Sequence, residues 1–224
     1  MAKMKKAIVL LSGGMDSAVA LYYAIDKGYE PHCLIFDYGQ RHKKEISRAR
    51  RIALSAGAKL HVVKLRLPWK GSSLLDKNKK LPFDRTIKDI NGGIPSTYVP
   101  SRNTIFLSMA SSLAEAIGAK AIFIGAHYED SSGYPDCRKD YLEAFRRVIR
   151  LGTKAGIDNG LTLEFPLISK GKSGIIKAGR RLGVPFELTW SCYKGGKAPC
   201  GRCDSCILRA KGFEEAGIKD PAIE

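Results

Sequence analysis

The feature that most constrains this chain is its opening. A five-residue apolar run, Ala7-Ile8-Val9-Leu10-Leu11, is cut off by Ser12-Gly13-Gly14 and followed by a helical pattern. So short an apolar run against a glycine turn reads as a strand buried on both faces, as in the middle of a parallel sheet. From residue 16 to 27, Ala20, Leu21, Ala24 and Ile25 mark one face of a helix, and Gly28 ends it. The alternation then continues, with strands predicted at 33–36, 61–65 and 121–125 and helices at 43–56 and 102–117. Beyond these come a helix at 140–150, a strand at 161–165, and helices at 173–182 and 207–216. This order predicts an α/β fold, a Rossmann-like parallel sheet with right-handed crossovers and helices on both faces. In such sheets ligands bind beyond the carboxyl ends of the strands. Residues 67–100 break the pattern. Pro68, Pro82, Pro95 and Gly92-Gly93 predict a surface excursion, and a loop that long in a compact domain is usually functional or a lid.

Ser12-Gly13-Gly14-Met15-Asp16-Ser17 joins the first strand to the first helix. Two glycines let backbone N–H groups approach a ligand, and the helix adds free N–H groups and its positive dipole end. With the Ser12 and Ser17 hydroxyls this is an anion cradle. A carboxylate inside it, Asp16, makes sense as an N-cap or as part of a Mg²⁺ site, since magnesium takes one or two carboxylates plus phosphate oxygens. The hexapeptide is neither a dinucleotide fingerprint nor a Gly-Lys-Ser/Thr phosphate loop.

Four of the six cysteines crowd near the C-terminus as Cys192-x7-Cys200-x2-Cys203-x2-Cys206. Four thiolates satisfy a tetrahedral Zn²⁺ and close its coordination, so a structural zinc is the expected reading. An iron–sulfur cluster is the rival, although the fourth cysteine lies upstream and no Cys-Pro follows. Cys33, in an apolar strand, and Cys137 are read as structural. The chain thus divides into an α/β domain carrying the anion cradle, 1–184, and a C-terminal zinc module, 185–224.

Charge narrows the partners. Lys and Arg number 38 against 22 Asp and Glu, a net +16, which asks for an anionic partner. Most of the excess lies in 41–51 and 170–211, a concentration that suggests an anion site and does not require a stable nucleic-acid partner. No apolar run approaches the roughly 18–20 residues needed to span a bilayer. The first run is too short for a signal peptide, so no membrane association and a cytoplasmic location are expected.

Three polar loops follow strands. Phe36-Asp37-Tyr38-Gly39-Gln40-Arg41-His42 is either a rim of the nucleotide site or a solvated helix entry. Pro100-Ser101-Arg102-Asn103 places an arginine able to clamp an anion or stack on a base. In the loop after the fourth strand, Asp130 and Asp136 could hydrogen-bond a guanine-like edge and Tyr134 could stack on it. His127 reads as a hydrogen-bonded loop residue rather than a catalyst.

Taken together, these blocks resemble a known family. The hexapeptide resembles the S-G-G-x-D-S signature of the PP-loop ATP pyrophosphatases. With Phe36–His42, Pro100–Asn103, Ser132-Gly133-Tyr134-Pro135-Asp136-Cys137-Arg138, Thr189-Trp190-Ser191-Cys192-Tyr193 and the cysteine block through Arg209, the chain resembles the QueC/ExsB family of 7-cyano-7-deazaguanine (preQ0) synthases. That resemblance implies an ATP-dependent ligase. It would join ammonia to 7-carboxy-7-deazaguanine through adenylated acid and amide intermediates, releasing AMP and pyrophosphate. It implies ATP, Mg²⁺ and Zn²⁺ as cofactors and a homodimer. The segment Leu10, Leu11, Ser12, Gly13, Gly14, Met15, Asp16, Ser17, Ala18, Val19 and Ala20 would wrap the ATP phosphates. Asp16 and Lys172, with Lys170 a second candidate, would serve the departing pyrophosphate. Arg102, Asn103, Asp130, Tyr134, Asp136 and Arg138 would form the deazaguanine pocket, and Cys192, Cys200, Cys203 and Cys206 would hold the metal. Two rivals remain: a PP-loop thiolase or lysidine-type ligase acting on tRNA itself, and a non-catalytic zinc module that binds nucleic acid.

Overall fold

A computed structural model describes residues 4–41, 43–90, 92–129, 133–158 and 160–223. Five strands form one sheet: β1 (Lys5–Leu10), β2 (Tyr29–Asp37), β3 (Lys59–Lys64), β4 (Ala121–Phe123) and β5 (Thr162–Glu164). The order is β3-β2-β1-β4-β5 and every pair is parallel. The longer helices are α1 (Met15–Asp26), α2 (Lys44–Ser55), α4 (Arg102–Ile117), α5 (Lys139–Gly152), α7 (Lys172–Arg181) and α8 (Asp204–Ala216). Two single turns, α3 (Ile87–Ile90) and α6 (Lys154–Ile157), have no counterpart in the sequence reading.

Successive strand residues point to opposite faces, and β1 shows the consequence. Ile8 and Leu10 enter one core with Leu34, Phe36 and Ile122, covered by Leu107 and Ala110 of α4 and by Leu142 and Ile149 of α5. Ala7 and Val9 enter the other with Cys33, Ile35 and Phe123, covered by Val19 and Leu21 of α1, Ile52 of α2 and Ile176 of α7. Both faces are therefore buried, as the apolar run required. Chain order reverses between β1 and β4, and that switch point opens a crevice beyond their carboxyl ends. The turn after β1 sits there.

Residues 66–100 run over this end without strand and with α3 as their one helical turn among the described residues. Leu67, Leu74 and Leu81 are buried, and so are Ser72, Ser73 and Thr97. Ser72 Oγ donates to Thr97 O at 3.1 Å, and the Arg41 guanidinium donates to three carbonyls of the loop, Asp76, Lys77 and Lys79. The excursion is thereby tied into a wall over the crevice. The cysteine segment is tied down as well: Trp190 N–H donates to Gly13 O at 2.9 Å, and α8 packs along α7.

Candidate active site

The two glycines of the turn do different jobs. Gly13 takes φ +91°, and a Cβ there would lie 2.3 Å from Glu45 O, so the turn presses directly on α2. Gly14, at φ −79°, is the N-cap of α1 and faces the crevice. Both serine hydroxyls hold the turn: Ser12 and Ser17 Oγ are 3.0 Å apart, Gly14 N–H donates to Ser12 Oγ, and Ser17 Oγ donates to Gly14 O. Because Gly14 is the cap, Asp16 is not. Gly125, at the end of β4, lets that strand touch α1: a Cβ there would meet Asp16 O at 2.8 Å.

Asp16 Oδ2 accepts from Lys172 Nζ at 2.9 Å, across 156 residues of sequence. Lys172 Nζ also lies 2.8 Å from His127 Nε2; an ammonium has only donors, so Nε2 accepts. The start of α7 is held by Lys172 N–H donating to Glu129 Oε1 at 2.8 Å. Asp16 Oδ1 is buried and has no hydrogen-bond partner. An orphaned carboxylate oxygen beside an anion cradle suits a divalent cation shared with phosphate oxygens.

Ser12, Gly14, Asp16, Ser17, Gly125, Glu129 and Lys172 line a cavity of about 290 Å³. Leu34, Phe36, Tyr38, Arg102 and Phe106 also line it, as do Leu74, Pro95 and Thr97 of the long loop and Tyr134, Tyr193 and Asp204. Arg102 donates to Tyr38 Oη at 3.2 Å. Glu45 of α2 also lines it; burial pushes its carboxyl up to about 7, opposed by Arg102. Ser101, just before α4, takes a left-handed conformation at φ 54°. Such a residue costs about 1–3 kcal/mol. Asp136 supports that entry, its Oδ2 accepting the Asn103 N–H at 2.9 Å while Asn103 Nδ2 donates to Asp136 O and Cys137 Sγ.

The sulfurs of Cys192, Cys200, Cys203 and Cys206 all lie within 4.8 Å of one another. Tetrahedral zinc with bonds of about 2.3 Å sets its ligands about 3.8 Å apart, and Cys200 and Cys206 are 4.0 Å apart. The donor set fits a closed structural zinc. The Cys203 thiol is drawn below the ordinary thiol range, first by the Cys206 thiol beside it.

The family model for the queuosine biosynthesis protein QueC matches residues 6–217. A 7-cyano-7-deazaguanine synthase of Thermoplasma acidophilum is 51% identical over 217 residues, which is 97% of this chain and 91% of that protein. One from a Nostoc species is 50% identical over 220 residues, 96% of each. The chain belongs to the QueC family. A solved NMN synthetase from Francisella tularensis shares the fold, with a TM-score of 0.50 at 15% identity over 96% of this chain and 79% of that one.

Within this QueC-family chain, the segment singled out from residue 10 to 20 divides in two. Leu10, Leu11, Ser12, Gly14, Asp16 and Ser17 line the cavity, whereas Met15, Ala18, Val19 and Ala20 are core and Gly13 faces α2. Lys172 lines the cavity and Lys170 does not. Arg102, Asn103 and Tyr134 reach it; Asp136 and Arg138 are not among its lining residues, and Asp130 lies outside the described residues. His127, fully buried, is hydrogen-bonded as expected, but to the site's lysine. The charge-rich segments border the site less than expected. Of their cations only Lys172 lines the cavity. Lys44 instead sits 3.6 Å over the Trp190 ring and donates to Gly196 and Lys197 carbonyls, and buried Arg209 pairs with Asp220. Sequence reasoning missed Glu45, Gly125, Glu129 and Asp204. Asp204 lies within the cysteine block, Gly125 and Glu129 at and after the end of the fourth predicted strand, and Glu45 three residues past His42; only tertiary contacts give them a role.

Among the described residues no helix is long and apolar enough to cross a membrane.

Proposed function

We propose that this chain is a carbon–nitrogen ligase that converts 7-carboxy-7-deazaguanine and ammonia into 7-cyano-7-deazaguanine, using two ATP molecules. The observation that carries this reading is one cavity lined both by Ser12, Gly14, Ser17 and the Asp16–Lys172 pair and by Phe36, Tyr38, Phe106 and Tyr134, in a QueC-family chain.

In the first half-reaction the substrate carboxylate attacks the α-phosphorus of ATP and pyrophosphate leaves. The turn's N–H groups and the α1 dipole receive the phosphates. Lys172 then supplies a positive charge where negative charge grows on the leaving group. Ammonia attacks the acyl carbon, the nitrogen loses a proton, and AMP departs to leave the amide. In the second half-reaction the amide oxygen attacks the α-phosphorus of a second ATP and pyrophosphate leaves; loss of both N–H protons and of AMP then gives the nitrile. One ATP site serves both halves because each activates an oxygen on the same carbon. Asp16, with its orphaned Oδ1, would hold Mg²⁺, which neutralises phosphate charge when bound. The four cysteines would hold Zn²⁺ in a structural role, with 185–224 as its module and 1–184 as the ATP-binding part.

A cytoplasmic location and a homodimer complete the reading. Val148 and Leu151 of α5 and Ile157 of α6 are exposed apolar side chains of the kind a second copy would cover. Sedimentation would read the dimer. The function is tested by incubating the protein with ATP, Mg²⁺, ammonium and 7-carboxy-7-deazaguanine and following AMP and product mass. AMP and a nitrile are expected; AMP formed only with bulk tRNA would replace this reading with the tRNA-acting one.

A further inference from the structure

Two buried carboxylate oxygens on the cavity lack a partner: Asp16 Oδ1, at the phosphate turn, and Asp204 Oδ1, in the first turn of α8. The sequence reading sought the base-reading carboxylate in the loop after β4. Asp136 there is occupied in holding the start of α4 and is not among the cavity-lining residues. We propose that Asp204 reads the base edge of the substrate, accepting hydrogen bonds from the ring N1–H and the 2-amino group of 7-carboxy-7-deazaguanine. This rests on the function proposed above and adds a specificity-determining residue to it.

The geometry favours Asp204 over the cavity's other acids. Asp16 is ion-paired to Lys172 beside the phosphate turn, and Glu129 accepts the Lys172 N–H. Glu45 faces Arg102, and its carbonyl abuts Gly13, which places it beside the same turn. The Asp204 side chain is only 6% exposed, and Arg85 donates to its Oδ2 at 3.0 Å. Arg85 also donates to Asp89 O, so the guanidinium is anchored at the foot of α3. That pair fixes the carboxylate in place and leaves Oδ1, with its two lone pairs, for the ligand.

Charge decides which ligand chemistry suits it. Arg85 already neutralises Asp204, so a second cation gains little there. A neutral pair of parallel N–H groups gains two hydrogen bonds to a charged, desolvated acceptor. The guanine-type edge of the substrate is such a pair; an adenine-type edge, which offers an acceptor at the ring nitrogen, is refused. Arg85 is a positioning residue, acting through Asp204.

The test compares two substrates, 7-carboxy-7-deazaguanine and its 2-deamino analogue, 7-carboxy-7-deazahypoxanthine, which lacks one donor. Wild-type protein should lose roughly 10- to 100-fold in kcat/KM on the analogue, the worth of one hydrogen bond to a charged group. Asp204→Asn should lose about 100-fold on the native substrate, mainly through KM, and less on the analogue, so that their ratio falls to within about threefold. The KM for ATP and the metal content should stay within about twofold of wild type, a split that loss of a merely structural ion pair does not produce. Should Asp204→Asn not fold, Asp204→Ser, which shortens the side chain and removes its charge, carries the same comparison. Equal turnover of both substrates by wild type, or a variant that keeps the wild-type ratio, overturns the proposal while the ligase reading stands. A wild-type protein that forms no AMP with 7-carboxy-7-deazaguanine overturns both.

Discussion

Replacing Gly13 by alanine tests the division of labour in the phosphate turn. The added Cβ would lie 2.3 Å from Glu45 O and 2.9 Å from Ala49 N, both backbone atoms of α2. Carbon and oxygen normally approach no closer than about 3.3 Å, so the turn and the helix must part by about 1 Å. Such overpacking costs about 1–3 kcal/mol. The positive φ of +91° adds about 1–2 kcal/mol for a residue with a side chain. The sum, roughly 2–5 kcal/mol, converts to a fall in Tm of about 5–20 °C for a chain of this size. Because the amides that meet phosphate move with the turn, a displacement of about 1 Å should also cost about 100-fold in ATP-dependent AMP release. Gly14→Ala is the control. At φ −79° its Cβ would meet nothing closer than Ser12 Oγ at 3.3 Å. It should keep Tm within about 2 °C while its methyl narrows the phosphate site and slows turnover. Thermal unfolding by circular dichroism and an AMP assay read both variants. A Gly13→Ala protein with wild-type Tm and activity would refute the close approach of turn and helix.

Other consequences are more direct. Asp16→Asn should keep the fold, by circular dichroism, and lose at least about 100-fold in AMP formation; unchanged turnover would remove Asp16 from the site. Cys203→Ala should lower bound zinc, by atomic emission, and lower Tm with it, and a variant unchanged in both would end the structural-zinc reading. Glu45 gives a pH signature. Burial lifts its carboxyl from 4.5 to about 7 in the folded protein. Its contribution to stability is therefore full below pH 4.5 and is lost as pH rises through about 7, because the unfolded chain ionises first. Glu45→Gln should match wild type in urea unfolding at pH 4.5 and exceed it at pH 8; parallel pH profiles would contradict the burial.

Much of the sheet could be read from the sequence because local pattern and tertiary need agree there. The β1 run is apolar because both its faces are buried, and α4 runs from Arg102 to Ile117 with Gly118 as its left-handed C-cap. The start of β2 was hidden. Glu30, Pro31 and His32 look unlike strand interior, yet Pro31 lies early in the strand and buried His32 stacks on His61. The single turn α6 is too short for any periodicity to show. The site divides the same way. The Ser12–Ser17 turn and the four cysteines are local motifs whose chemistry is written in their spacing. The Asp16–Lys172, Asp136–Asn103 and Asp204–Arg85 pairs join residues 156, 33 and 119 positions apart, and only the fold brings them together. Likewise, the charge excess pointed to an anion site, but part of it braces the cysteine segment, as Lys44 on Trp190 shows.

The most direct test of the central claim is a single turnover balance with ¹⁵N-labelled ammonium, ATP, Mg²⁺ and 7-carboxy-7-deazaguanine. Mass spectrometry should find the label in the nitrile of 7-cyano-7-deazaguanine, with two AMP released for each nitrile formed. One AMP and an amide that never advances, or a product without the label, would contradict the account.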